Sequence, residues 1–117
     1  MTPTPPPTDA MLSEVGSALP QSHLDYAAQD PEMFTSYLEW RKTCLSDGAT
    51  TRVQKLLSVV AIMTAQKTSG PLRVYASIAK SEGATAEQLK EALRVGILFS
   101  GGAGIDAAAS VADLLED

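Results

Sequence analysis

Apolar residues recur at intervals of three and four along most of this chain, the spacing of helices with one buried face rather than the alternation of strands. Asp9 is placed to cap a short helix over Ala10 to Ala18 that stops before Pro20, and His23 to Gln29 has room for another turn or two. Asp30-Pro31 pairs an N-cap with a proline at the first helical position. The helix it opens runs to about Ser46, with Met33, Phe34, Tyr37, Leu38, Arg41 and Leu45 along one side, and Gly48 is expected to close it in the left-handed conformation.

Thr50 or Thr51 then caps a helix to about Gln66. Val53, Leu56, Leu57, Val60, Ala61 and Thr64 form one stripe on it, and Val59, Ile62 and Met63 form a second. A helix apolar on both sides is a central one, covered by several neighbours or by another subunit. Thr68-Ser69-Gly70-Pro71 breaks this helix and starts a fourth, which ends at Gly83. Thr85 and Gln88 have the spacing of a capping box, and the helix they open carries Leu89, Ala92, Leu93, Gly96 and Ile97 on one face. The last helix, from about Gly104 to Leu115, is rich in alanine, so its axis can approach a neighbour closely. The pattern predicts an all-α protein: a Pro-rich tail over residues 1–8, then a single domain over 9–117 built as an orthogonal bundle of about six helices.

Composition narrows the function classes. In a chain of 117 residues, 44% hydrophobic and 20% charged content is that of one globular core. A net charge of -5, with nine scattered Lys and Arg, argues against nucleic acid and against an anionic membrane surface. One cysteine, Cys44, excludes an intrachain disulfide, and one histidine, His23, leaves too few soft ligands for zinc or iron. Neither metal nor cofactor is therefore expected. Met1 to Thr8 has four prolines and no signal-peptide regions, so it reads as an extended, disordered tail on a cytoplasmic protein.

Three familiar motifs fail on context. Gly102-Ala103-Gly104-Ile105-Asp106-Ala107 fits a dinucleotide fingerprint, which works only inside a βαβ unit with an acidic residue further on. The glycines more simply allow a tight corner between helices. Ser77-Ile78-Ala79-Lys80 has the spacing of penicillin-recognising acylases in a chain too short for one, and both residues are expected at the surface. A Ser-His-Asp arrangement would have to use His23, expected in a loop as a solvated residue or a cap, and Cys44 is expected to be a half-buried, inert thiol.

From Pro31 onward the order of landmarks resembles the carboxymuconolactone decarboxylase and alkylhydroperoxidase D family. These are a Phe-bearing helix, Gly48-Ala49-Thr50, an apolar helix led by Lys55-Leu56-Leu57, a short junction, Glu82-Gly83-Ala84-Thr85-Ala86-Glu87-Gln88-Leu89, and Phe99-Ser100-Gly101-Gly102 leading into a small-residue helix. The resemblance implies the alkylhydroperoxidase D-like fold and trimers or hexamers formed through the central helices. Redox members carry Cys-x-x-Cys and a following His at the junction, with an upstream Glu. Counting back from Gly83 places the three positions at Thr68, Pro71 and Tyr75; counting forward from Lys55 gives Lys67, Gly70 and Val74, with Lys55 in place of the Glu. Neither register supplies a thiol, an imidazole or the acid, and thiol peroxidase chemistry needs a thiolate and a resolving partner.

What remains at the junction is a helix N-terminus with cations near it, a plausible site for a small organic anion. Lys55, Thr68, Ser69 and Arg73 are the candidate binding residues. Lys67 and Tyr75 are the candidate catalytic pair of a cofactor-independent lyase or isomerase, the lysine facing an enolate or carboxylate and the tyrosine moving a proton. The other reading is a catalytically silent oligomeric scaffold or protein-binding module, with Tyr37, Trp40 and Arg41 as contacts. An enclosed pocket at the junction would favour the first, and a junction filled by Leu and Met the second.

Overall fold

A computed structural model describes residues 20–117. The tail expected over residues 1–8 and the helix expected over Ala10 to Ala18 lie outside the described residues. Among those described there are six α-helices, one 3-10 turn and no strand. The all-α bundle of about six helices is thus the observed fold class, arranged in two compact units that meet in sequence between Ser46 and Asp47.

The first unit contributes α1 (Gln21–Gln29) and α2 (Pro31–Leu45). Asp30 joins them. Its Oδ1 accepts from the Met33 N–H at 3.1 Å and its Oδ2 accepts from the Tyr26 hydroxyl at 3.0 Å, so one carboxylate caps α2 and ties it to α1. Phe34, Arg41 and Leu45 of the expected stripe are buried, whereas Met33 is exposed. The end of α2 differs from expectation. Ser46 turns the chain to extended backbone at ψ 154°, its N–H donating to the Lys42 carbonyl, and Gly48 has no positive φ. The stop is therefore made two residues before the glycine.

The second unit contains α3 (Arg52–Ala65), α4 (Ser69–Ser81), α5 (Ala86–Ser100), α6 (Gly102–Ala109) and the 3-10 turn Ala112–Leu114. Thr51 and Thr85 each accept from the backbone of a glutamine three residues on, Gln54 and Gln88, while those side chains reach back to the threonine N–H. Each cap of this kind is worth about 1 kcal/mol. The helix expected over Gly104 to Leu115 is shorter than that, because the chain loosens into the 3-10 turn after Ala109.

The core of this unit is Leu56, Val60 and Thr64 of α3, Leu72, Ala76, Ile78 and Ala79 of α4, and Leu89 and Leu93 of α5. Thr64 is fully buried yet satisfied, its hydroxyl donating to the Val60 carbonyl at 2.8 Å. The most extensive helix pair is α3 against α5, and Gly96 makes their closeness possible. A Cβ at Gly96 would lie 2.5 Å from both the Ala61 carbonyl oxygen and the Thr64 Cβ. The second apolar stripe of α3 is not covered by the described residues: Ile62 is 49% exposed, and Val59 and Met63 are half-buried.

Candidate functional site

The α3–α4 junction is a tight reversal built on a residue type poorly suited to it. The Lys67 N–H donates to the Thr64 carbonyl at 3.1 Å and the Thr68 N–H to the Met63 carbonyl at 3.0 Å, the two crossed bonds of a Schellman cap. That cap needs a left-handed residue between α3 and Thr68, and Lys67 takes the role at φ 61°. The same motif ends α4, with Gly83 N–H to Lys80 at 3.2 Å and Ala84 N–H to Ala79 at 2.9 Å, but there the left-handed residue is a glycine at φ 108°. A side chain in this conformation costs about 1–2 kcal/mol that glycine avoids.

Lys67 is exposed, and among the described residues its ammonium has no ion-pair partner. Thr68 makes no side-chain cap; its hydroxyl lies 3.2 Å from the Met63 carbonyl oxygen and 3.2 Å from the Met63 sulfur. Ser69 and Gly70 open α4, and Pro71 carries no N–H, so the helix start offers two free backbone donors before the Leu72 N–H bonds to the Thr68 carbonyl. Lys67, Thr68, Ser69 and Gly70 are thus brought together.

The other candidates are spread out. Lys55 stands in the first turn of α3, some twelve residues or about 18 Å of helix rise from Lys67, with its ammonium near Gly48. Arg73 is engaged by the C-terminal segment. Its guanidinium donates to both Asp113 carboxylate oxygens at 2.8 and 2.6 Å and to the Ser110 carbonyl at 3.1 Å. Those hydrogen bonds hold the Asp113 carboxyl below the usual carboxylate range. Tyr75 is half-buried on α4, about 9 Å of rise beyond Ser69. Lys80 is also structural, its ammonium donating to the Leu114 and Glu116 carbonyls at 2.8 and 2.5 Å, against the expectation of a free surface residue.

One open concavity lies wholly within the first unit. It measures about 310 Å³ and is lined by Ser22, His23, Tyr26, Met33, Phe34 and Tyr37. His23 sits in α1 and is half-buried, not solvated in a loop. Its ring centroid lies 6.2 Å from that of Phe34 and 6.1 Å from that of Tyr37, with Phe34 and Tyr37 5.6 Å apart and Trp40 6.0 Å beyond Tyr37. The Arg41 guanidinium carbon is 5.7 Å from the Tyr37 ring centre. Burial, and secondarily the Arg41 charge, hold the imidazole below its ordinary value of 6.5. The signal in the sequence was the run of rings at Phe34, Tyr37 and Trp40, one helical turn apart; what it lacked was the partner, since a solitary His ahead of a helix gives no sign of which residues it meets. Cys44 is exposed rather than half-buried.

The described residues hold no group of three or more His, Cys, Asp or Glu arranged for a metal, and no helix long and apolar enough to cross a membrane. No curated protein sequence matches the chain. Two crystal structures share its fold. An apo carboxymuconolactone decarboxylase family protein from Legionella pneumophila has a TM-score of 0.76 and 21% identity over 90% of this chain and 94% of that one. A proposed carboxymuconolactone decarboxylase from Burkholderia xenovorans has a TM-score of 0.71 and 19% identity over 92% of each chain. The family model described as the carboxymuconolactone decarboxylase family matches residues 31–114, well over half of the sequence, and the chain therefore belongs to that family.

Proposed function

We propose that this protein binds a small organic anion at the α3–α4 junction and does so without thiol chemistry. The observation that carries the reading is Lys67. The fold uses glycine in the equivalent left-handed position after α4, whereas after α3 it keeps a lysine, two residues before the start of the next helix. A residue that costs folding energy where its backbone sits is a candidate for a role of its side chain. The backbone donors of Ser69 and Gly70, the Ser69 hydroxyl and the positive end of α4 add to the attraction for a carboxylate.

A lyase or isomerase step on such a molecule would place Lys67 against the developing enolate or carboxylate, with Tyr75 as the proton carrier. Arg73 supports this region indirectly by anchoring α4 to the C-terminal segment, and Lys55 stands at the other end of α3. Calorimetric titration with small mono- and dicarboxylates tests the binding. Affinity that falls at least tenfold in Lys67→Met, with folding unchanged, supports the reading; equal affinity in the two proteins sinks it.

The scaffold reading is favoured by a different observation. Ile62 of α3, Val95, Leu98 and Phe99 of α5, and Ile105 of α6 are 49 to 79% exposed, large apolar side chains on the second unit. Exposed apolar groups in that number mark association surfaces. A homo-oligomer, trimer or hexamer, formed through these side chains is the form this reading takes. Sedimentation of the wild type against Phe99→Lys tests it, with dissociation to monomer as the expected outcome and unchanged mass as the refutation.

A further inference from the structure

The concavity of the first unit is walled by aromatic rings and has a carboxylate behind one of them. Tyr26, Phe34 and Tyr37 line it together with His23, Ser22 and the Met33 thioether. The His23, Phe34 and Tyr37 ring centroids stand 5.6 to 6.2 Å apart with planes inclined by 42° to 74°, so the rings meet at angles and do not stack face to face. Tyr26 is 50% and Met33 54% exposed, which leaves the corner open on their side. At about 310 Å³ it has room for a compact group and not for a nucleotide or an extended cofactor.

A negative charge is hydrogen-bonded to this lining. Asp30 Oδ2 accepts from the Tyr26 hydroxyl at 3.0 Å, and that bond, followed by the charge of the carboxylate, holds the phenol above its ordinary value of 10. The other donor to Asp30 is the Met33 N–H, and since both donors are neutral the carboxylate keeps its charge. Asp25, between His23 and Tyr26 in α1, and Glu32, next to Met33 in α2, are carboxylates too, the first bonded only to the neutral Gln21 amide at 3.0 Å. Over residues 20–46 there are four carboxylates and two cationic side chains, Arg41 and Lys42. Arg41 is not part of the lining; it is buried and engaged, its guanidinium carbon 5.7 Å from the Tyr37 ring centre. Its charge is the smaller cause, after burial, of the lowered His23 value, so the imidazole is neutral at pH 8 and the lining then carries no positive charge.

We propose that the α1–α2 concavity binds a compact organic cation, a quaternary or tertiary ammonium group, against the rings of Tyr26, Phe34 and Tyr37, with Asp30 behind Tyr26 supplying the opposite charge. The face of an aromatic ring is negative and attracts such a cation, and the Arg41 guanidinium against Tyr37 is an instance of the same attraction inside this fold. The alkyl groups of the cation cover apolar wall while its open side stays in water. This ligand has the sign opposite to the one proposed for the α3–α4 junction, so the two sites stand or fail separately.

The test is a titration of the full chain with tetramethylammonium chloride at pH 8, read from the ring protons of the one histidine in the chain. The expected result is a saturable shift of the His23 resonances. Tert-butanol, a neutral molecule of nearly the same shape, binds at least tenfold more weakly, and sodium chloride at the same concentration produces no saturable shift. Asp30→Asn keeps a side-chain oxygen for the α2 cap and removes the charge, and it weakens binding at least threefold. Tyr26→Leu removes a half-exposed ring and weakens binding by as much. Resonances that tetramethylammonium does not move overturn the proposal. So does an equal response to tert-butanol, which would mean an apolar corner blind to charge, or an unchanged affinity in either variant. A shift that follows protein concentration and not the cation overturns it as well, because a second copy would then cover the rings.

Discussion

Replacing Lys67 with glycine should stabilise the protein while removing its proposed ligand contact. Lys67 occupies the left-handed position of the α3 cap at φ 61°, where a side chain costs about 1–2 kcal/mol. Glycine removes that strain but gives the unfolded chain more freedom, a loss of about 0.5–1 kcal/mol. The charge itself is expected to contribute little to the balance, because Lys67 follows the negative end of α3 and precedes the positive end of α4, whose dipole effects of about 0.3–1 kcal/mol oppose each other. The net expectation is a gain of about 0.5–1 kcal/mol, or about 2–5 °C in Tm for a domain of this size. Far-UV circular dichroism during urea and thermal unfolding reads it, at fixed protein concentration and in buffer free of carboxylates. Gly83→Ala is the internal control, since it puts a side chain into the same geometry and should lose about 1 kcal/mol. A destabilised Lys67→Gly, or a neutral Gly83→Ala, would refute the claim that the junction lysine is held under strain.

Gly96→Ala should cost about 1–2 kcal/mol in urea unfolding, because relief of the Ala61 carbonyl contact at 2.5 Å requires α3 and α5 to separate and outweighs the better helix propensity of alanine. Thr85→Ala loses the hydroxyl arm of a capping box, the backbone N–H arm to Gln88 being kept, and should cost about 1 kcal/mol by the same assay. Asp113 titrates below its ordinary value because Arg73 hydrogen-bonds its carboxylate, so its contribution is complete above the ordinary value of 3.8 and is lost as pH falls through the lowered one. The acid limb of a stability-against-pH curve should therefore flatten in Asp113→Asn, and an unchanged limb would mean that the Arg73 contact contributes nothing in solution. His23 has the same sign: held below 6.5 in the folded state, it favours folding more above that pH than below it, and His23→Gln should remove the step.

Much of the fold was legible because helix ends announce themselves locally. Asp30-Pro31 and Thr85 with Gln88 place their donors and acceptors within four residues, so the pattern sets those boundaries, while the choice between Thr50 and Thr51 was settled by the Gln54 capping box in the structure. Gly83 likewise declares a left-handed stop. Gly48 misled because a glycine near a helix end is a licence and not a requirement, and Ser46 closed the turn first. Lys67 was invisible as a backbone feature, since nothing in its side chain forecasts a positive φ; the Schellman bonds from Met63 and Thr64 impose it.

The candidate site was legible in part for the same reason. Lys67, Thr68 and Ser69 are neighbours in sequence and so are neighbours in space. Arg73 and Lys80 looked like free cations until the C-terminal segment, some forty residues on, was seen to supply Asp113 and the Leu114 and Glu116 carbonyls. The same holds for His23, whose surroundings come from a different helix. Contacts between distant segments follow from how helices pack, which a stripe of apolar residues specifies by face and not by partner.

Binding at the junction is most directly tested by the backbone amides that would form the site. In a nitrogen–proton correlation spectrum titrated with a small dicarboxylate such as malonate, the Ser69 and Gly70 amides should move downfield saturably, with the Lys67→Gly protein, folded and more stable, showing no such movement. Amides of Ser69 and Gly70 that stay in place in the wild type, or move identically in the variant, would contradict the anion site.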